Sequence, residues 1–347
     1  MKVFLTGGTG FIGRPLASRL LGRGWGVTAL VRDPDAGPAR ALARRGVTLA
    51  AGDVLEPASM IVPMGGADIV VHNAGVYEYG LRRAGRRRMM KVNVRGTDNV
   101  LGLAHRLGVP RTVYVSSIQA FGDAGGRLRD ETFARQSPCR TAYERSKSEA
   151  HVVAVGHWER GLPLVIVCPD GVVGANDHSP IGYFQRLYLN RLMPPLAWAP
   201  RAMTACVDVE DVAEGIVLGA ERGRLGETYI LCGEARTMRE ALLCWSSKPG
   251  GFTPRVWLPA ALAAVLLAPA APVLRMLGLP AFISRDAVLG LGTDWNYSAE
   301  KARRELGWAP RRADELWDHV FAGEAELRSK RRGQTWVRRL RPLELDE

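Results

Sequence analysis

Short apolar runs alternate with longer amphipathic stretches through the first half of the chain. Residues 3–5, 26–31, 47–51, 69–72, 112–116 and 164–168 are rich in Val, Ile and Leu and read as strands. Residues 14–23, 38–45, 91–107 and 142–160 read as helices. Strand and helix repeated in this order predict an α/β fold: a doubly wound parallel sheet with helices on both faces. Strands apolar at nearly every position fit a sheet buried on both sides. After Pro169 the rhythm changes. Residues 171–200 are rich in Gly, Pro and aromatics, with one clear helix at 182–191. Residues 208–222 and 228–232 read as a helix and a strand returning to the sheet. Residues 235–316 read as mostly helical, with turns at Pro249-Gly250-Gly251 and Gly278-Leu279-Pro280. The expected organisation is a sheet domain over 1–170 with 204–233 returning to it, a smaller and mostly helical domain from 171–203 and 234–325, and a basic tail over 326–347.

Composition narrows the classes. The 347 residues are 47% hydrophobic and 24% charged, which excludes a disordered, collagen-like or disulfide-framework chain. The five cysteines form no CxxC pair and suit no zinc site, so they read as buried free thiols of a cytoplasmic protein without a metal. Lysine occurs six times among 47 basic residues, and the other 41 are arginine. The net charge of +12 favours anionic ligands or an anionic membrane surface. Two arginine clusters, at 82–91 and 328–341, lie in no nucleic-acid-binding module, so they read as solvated surface. The first apolar run is too short for a secretory signal. Residues 256–274 carry no charge, but Pro259, Pro269 and Pro272 interrupt them. That segment is expected to be a buried helix of the second domain, ahead of a peripheral membrane-contacting helix pair and of a membrane span.

The string Thr6-Gly7-Gly8-Thr9-Gly10-Phe11-Ile12-Gly13 follows the first strand and opens the first helix. Glycine at 7, 10 and 13 allows a tight turn, close approach to a pyrophosphate and hard packing of helix on strand. The free N–H groups of the helix start then favour the phosphates. The second strand ends in Arg32-Asp33-Pro34. An arginine fork there suits a 2′-phosphate and favours NADP(H). NAD(H) is the alternative, with Asp33 on the ribose and Arg32 in solvent. Asp53, in Gly52-Asp53-Val54, is placed to meet the adenine amino group.

Tyr143 and Lys147 stand four apart on a predicted helix and so share a face. A phenol beside an ammonium is an acid–base pair, the cation being expected to lower the phenol's pKa. Ser117 ends a strand at the sheet edge where such folds place ligands, and its hydroxyl can hold a substrate oxygen.

These motifs together resemble an extended short-chain dehydrogenase/reductase of the NAD-dependent epimerase/dehydratase superfamily. The matching pieces are Thr6 to Gly13, Gly52-Asp53-Val54, His72-Asn73-Ala74-Gly75, Val92 to Thr97, Val115 to Gly122, Tyr143 to Lys147, Cys168-Pro169, Asp208 to Gly215 and Trp295 to Trp308. The resemblance implies a Rossmann-type domain with a helical substrate domain, and Ser117, Tyr143 and Lys147 as the catalytic set. Ser117 rather than Ser116 fits, standing five residues before Gly122. Lys147 would also hold the nicotinamide ribose. Cofactor contacts would come from Gly7, Thr9, Gly10, Phe11, Ile12, Gly13, Arg32, Asp53, Val54, Asn73, Ala74, Gly75, Asn93, Tyr143 and Pro169. Asn93 would support the sheet and a proton relay. A homodimer is implied only by the resemblance.

Within the family, Arg32-Asp33-Pro34, the string Gly174 to Pro180 and the apolar segment near 257–274 resemble the dihydroflavonol-reductase-like and 3β-hydroxysteroid-dehydrogenase-like branch. The expected activity is NADP(H)-dependent reduction of a carbonyl, or oxidation of a secondary alcohol, of a small apolar substrate. The alternatives are an NAD-dependent nucleotide-sugar epimerase or dehydratase, and a non-catalytic dinucleotide sensor. The sensor would have no use for Ser117, Tyr143 and Lys147 together. Arg82 to Arg88 stand where relatives often carry acidic residues. They read as a solvated helix face, with a carboxylate, phosphate or CoA tail of a substrate as the second reading.

Overall fold

The computed structural model describes residues 1–248, 253–331 and 333–343; the expected turn at Pro249-Gly250-Gly251 and the acidic last four residues lie outside them. Strands β1 (Lys2–Thr6), β2 (Gly26–Val31), β3 (Thr48–Ala51), β4 (Ile69–His72), β5 (Thr112–Val115) and β6 (Leu164–Pro169) come first. Four short strands follow: β7 (Val172–Val173), β8 (Leu196–Trp198), β9 (Met203–Thr204) and β10 (Val207–Asp208). β11 (Thr228–Leu231), β12 (Arg236–Thr237) and β13 (Val256–Leu258) complete the series. One seven-stranded sheet runs in the order β11-β6-β5-β4-β1-β2-β3, with every pairing parallel. This is the Rossmann order, in which the chain reverses direction across the sheet between β1 and β4 and opens a crevice at the strands' carboxyl ends. β4, β5 and β6 are buried at every position, as their largely apolar runs require, with His72 and Thr112 as buried polar positions.

The helices of the first half are α1 (Gly13–Gly22), α2 (Gly37–Arg44), α3 (Pro57–Met64), α4 (Arg83–Met90), α5 (Gly96–Arg106) and α6 (Ala142–Glu159). α7 (Pro180–Leu189), α8 (Val209–Arg222), α9 (Met238–Ser246), α10 (Ala260–Leu266) and α11 (Ala270–Met276) follow, then α12 (Arg285–Leu291), α13 (Glu300–Leu306), α14 (Ala313–Lys330) and α15 (Trp336–Leu340). α1 packs with α8, and α5 packs with α3 and α6, so helices cover both faces of the sheet. α3 was not anticipated. Pro57 occupies its first turn, where the missing N–H costs nothing, and Met60 and Met64 supply its buried face.

Two expectations are corrected. The charge-free segment 256–274 is not one buried helix. Its prolines start new elements: Val256–Leu258 pairs with β8, Pro259 caps α10, and Pro269 caps α11. Only the small Ala263 and Ala264 of α10 turn inward, and larger apolar residues face solvent. Nor does the C-terminal stretch form a loose, solvated tail as far as residue 343. Arg331 is buried in ion pairing with Glu324, and Leu340 of α15 is buried against Leu279 and Phe282. Among the described residues, no helix is long and apolar enough to cross a membrane. All five cysteines are free; Cys168 and Cys232 are buried and the others half-buried.

Candidate active site

The glycine loop between β1 and α1 is held from behind by a hydrogen-bond chain. Ala74 N–H donates to Thr6 Oγ1 (3.1 Å), which meets His72 Nδ1 (2.8 Å); His72 Nε2 meets Thr97 Oγ1 (3.0 Å), which donates to Asn93 O (2.6 Å). Burial pushes His72 down to about 3, so the ring is neutral and bridges the two threonines. Gly7 has φ +73°, and a Cβ there would sit 2.7 Å from Ala74 N; a Cβ on Gly13 would meet Gly7 O at 2.0 Å. The loop therefore lies against the end of β4 with no room for a side chain. α1 has no acidic residue in its first turn, which leaves its N-terminus electropositive toward a phosphate. At the end of β2, Arg32 is exposed and borders the cavity, whereas Asp33 Oδ1 accepts Asp35 N–H at 2.9 Å and does not border it. Asp53 Oδ1 accepts Leu55 N–H at 2.9 Å. A dinucleotide fits this donor set, the cradle being shaped by the two glycines just named.

β5 stops at Val115, and the chain turns outward through Ser116 and Ser117 into a 3-10 turn over Ile118–Ala120. Ser117 Oγ accepts Gln119 N–H at 3.2 Å. Across the crevice Thr141 caps α6 by accepting Glu144 N–H at 3.1 Å, and so fixes where the helix starts. Tyr143 follows in its first turn, and Lys147 lies one turn on, 7% exposed. Lys147 Nζ donates to Val115 O at 3.1 Å and stands 5.5 Å over the Tyr114 ring. Burial pushes its ammonium down to about 8. Tyr143 departs from the expectation that Lys147 would lower its pKa. Burial and then Tyr79 push the phenol above its ordinary value, and the Ser117 hydroxyl opposes them only in part. With Lys147 engaged at Val115 O, the phenol keeps its proton at neutral pH.

Asn93 sits in a π-helical turn, Lys91–Arg95, between α4 and α5. Its amide accepts Val76 N–H (2.7 Å) and donates to Val76 O (3.0 Å) and Ser146 Oγ (2.8 Å), tying the loop after β4 to α6 beside Lys147. π turns of this kind recur at functional sites.

These groups line one cavity of about 540 Å³. Of the residues expected at the cofactor, Gly7, Thr9, Gly10, Phe11, Ile12, Arg32, Asp53, Val54, Asn73, Ala74, Gly75 and Asn93 border it, together with Ser117, Tyr143 and Lys147. Gly13 and Pro169 do not. Gly13 packs beneath the loop, and the wall expected from Pro169 is made by Asp170, Gly171 and Val172.

Residues 3–232 match the model of the NAD dependent epimerase/dehydratase family. The chain belongs to that family. As an NAD dependent epimerase/dehydratase family member it is an NAD(P)-dependent oxidoreductase of the extended short-chain type. It is 34% identical over 321 residues to a Synechocystis protein provisionally named as a dihydroflavonol 4-reductase, covering 88% of this chain and 89% of that one. It is 30% identical over 327 residues to the 4-hydroxy-2-methyl-3-oxo-4-farnesyl-3,4-dihydroquinoline-1-oxide ketoreductase of Stigmatella aurantiaca, covering 90% and 92%. Among solved structures, gox2253 superposes with a TM-score of 0.78 at 30% identity, over 94% of this chain and 98% of that one.

Some neighbours of Ser117, Tyr143 and Lys147 were not singled out from the sequence. Tyr77 meets the Tyr143 ring edge-on at 4.6 Å, Tyr79 lies 6.3 Å from it, and Gln119 donates to Tyr79 Oη at 3.0 Å. Tyr77 and Tyr79 lie in the irregular segment after β4, where no period marks them. Trp295, Ile181 and Leu291 reach the cavity from distant segments; Trp295 opens a motif that matches the family, but nothing local places it or the other two at the site.

Proposed function

We propose that this chain is an NADP(H)-dependent reductase of a ketone or aldehyde carried on a small apolar body. The observation that carries the reading is the half-buried Tyr143 sharing a cavity with Ser117, Lys147 and a group of apolar and aromatic side chains. Tyr77, Tyr79, Ile118, Ile181, Leu291 and Trp295 supply those side chains, and they suit an apolar body. The names of the Synechocystis and Stigmatella relatives point the same way. Segments 171–203 and 234–325 would enclose the substrate, since Ile181, Leu291 and Trp295 come from them.

The cradle from Thr6 to Ile12 would hold the pyrophosphate, Arg32 the 2′-phosphate and Lys147 the nicotinamide ribose. Bound NADPH supplies the hydride. Ser117 Oγ donates to the carbonyl oxygen and fixes its orientation. Tyr143 gives its proton to that oxygen as negative charge develops there. Preference for NADP(H) is supported by Arg32 facing the cavity while Asp33 is occupied in its own turn.

A fluorescence titration of nucleotide-stripped protein tests the cofactor reading. Tighter binding of NADPH than NADH, lost in Arg32→Ala, is the expected result; equal binding, or a dinucleotide that cannot be stripped, would move the assignment to an internally recycling epimerase. Tyr143→Phe should bind NADPH normally and lose about 10²–10⁴-fold in kcat. Turnover near wild type in that variant would remove Tyr143 from the chemistry.

A further inference from the structure

Three stretches of the chain, 79–97, 241–285 and 327–343, contain no acidic residue. The fold joins the parts of them around Gly80, α4, α11 and α15. Arg275 of α11 donates to Gly80 O, Arg86 of α4 pairs with Asp286 of α12 at 3.3 Å, and Arg341 donates to Gly278 O at 2.7 Å. Leu340 of α15 shares a buried cluster with Leu274 and Leu279. α10 and α11 turn their large residues outward. Leu262, Val265, Leu266, Val273 and Met276 are 47, 69, 58, 55 and 87% exposed. Single exposed apolar residues are ordinary, but two consecutive helices facing solvent this way mark an interaction surface. Around them Arg82, Arg83 and Arg87 of α4, Arg285 of α12 and Arg338 of α15 are exposed, and Trp336 is 51% exposed.

We propose that this face docks on an anionic lipid bilayer. α10 and α11 would enter the acyl boundary, with Trp336 at the level of the headgroups, and the surrounding arginines would meet lipid phosphates. Charge decides the occupant. A second copy packed on the same face would bring these arginines against their own equivalents, whereas an anionic surface neutralises them. The contact is peripheral, because neither helix is long enough to cross. α12, against which α10 rests, supplies Gly290 and Leu291 to the active-site cavity, so the docked face adjoins the cavity wall. The docking does not depend on the reductase reading, and it is measured without turnover.

The test is co-sedimentation of the full chain with vesicles of phosphatidylcholine alone and with about one third phosphatidylglycerol. Binding to the anionic vesicles only, weakening as salt shortens the screening length, is expected. Arg83→Ala with Arg87→Ala should lower the partition coefficient about fivefold per charge removed. Val265→Asp with Met276→Asp should abolish binding while melting temperature and NADPH affinity stay at wild-type values, since both side chains face solvent. Absence of binding at low salt would overturn the proposal, as would binding indifferent to both variants. A dimer in light scattering that the aspartate pair converts to monomer, without vesicle binding, would assign the face to a second copy.

Discussion

Lys147 carries two demands that conflict in the free protein. It is buried, which favours the neutral amine, whereas the ribose contact proposed for it would favour the ammonium. Burial pulls the group down to about 8 from its ordinary 10.5, so the ammonium still predominates at neutral pH. Between those values the unfolded chain binds a proton that the folded chain does not. Stability of the free protein therefore rises with pH across that window, and at neutral pH the whole penalty of charging Lys147 is present. Ribose hydroxyls accepting from Nζ would favour the ammonium and raise its pKa, so dinucleotide binding should take up a proton. Calorimetry of NADPH binding at pH 8.5, in two buffers of different ionisation enthalpy, should show uptake of roughly half a proton or more. The uptake should vanish in Lys147→Met. Identical heats in the two buffers would mean that Lys147 does not meet the ligand.

The next scale up is the joint between the turn after Ser117 and the first turn of α6, and Arg135 makes it. Its guanidinium donates to Gln119 O and to Ala120 O (3.3 Å) on one side, and to Glu144 Oε1 (2.6 Å) on the other. Glu144 is 2% exposed, and its second oxygen accepts Arg140 N–H at 2.7 Å. Arg135 is thus a positioning residue that sets Ser117 against Tyr143, and removing one partner leaves the other charge buried. Arg135→Met should lower the melting temperature and reduce kcat about 10²-fold, with NADPH affinity unchanged because the cradle is remote. A lower melting temperature with full kcat in the folded protein would show a purely structural role. Nothing local announces Arg135 in a chain with 41 arginines. The elements of the Rossmann half were legible because each must bury its own face, which imposes a period on the residues; Gly26–Val31 and Ile69–His72 emerge with the expected bounds. Ser117, Tyr143 and Lys147 were brought together only through the family resemblance, whereas the glycine loop was legible because it is local. Trp295 and Ile181 were not, since only the tertiary fold brings them to Tyr143. The inward and outward sides of α10 and α11 were equally hidden, because an apolar segment reads alike whether it meets a core or solvent.

Across the whole molecule, the second half is joined by a buried charge cluster. Glu324 of α14, fully buried, pairs with Arg186 of α7 at 2.9 Å and with Arg331 at 3.0 Å. Arg186 also donates to Asp177 O and to Leu340 O, each at 2.6 Å, and Asn176 N–H donates to Glu324 at 2.8 Å. One carboxylate thereby fastens α7, α14 and the approach to α15, and through Asp177 it steadies residues that border the cavity. Glu324→Ala strands two buried guanidinium groups and should destabilise the fold by about 3–5 kcal/mol in denaturant unfolding. Replacing all three members with Met or Leu removes the stranded charge and should recover much of that loss. Recovery should stop short of wild type, since the carbonyls of Asp177 and Leu340 would then lack donors, at about 1–3 kcal/mol each. The triple variant should also raise KM, because Asp177, whose carbonyl Arg186 holds, borders the cavity. A triple variant more stable than wild type, with unaltered KM, would show that the cluster neither supports those carbonyls nor shapes the cavity.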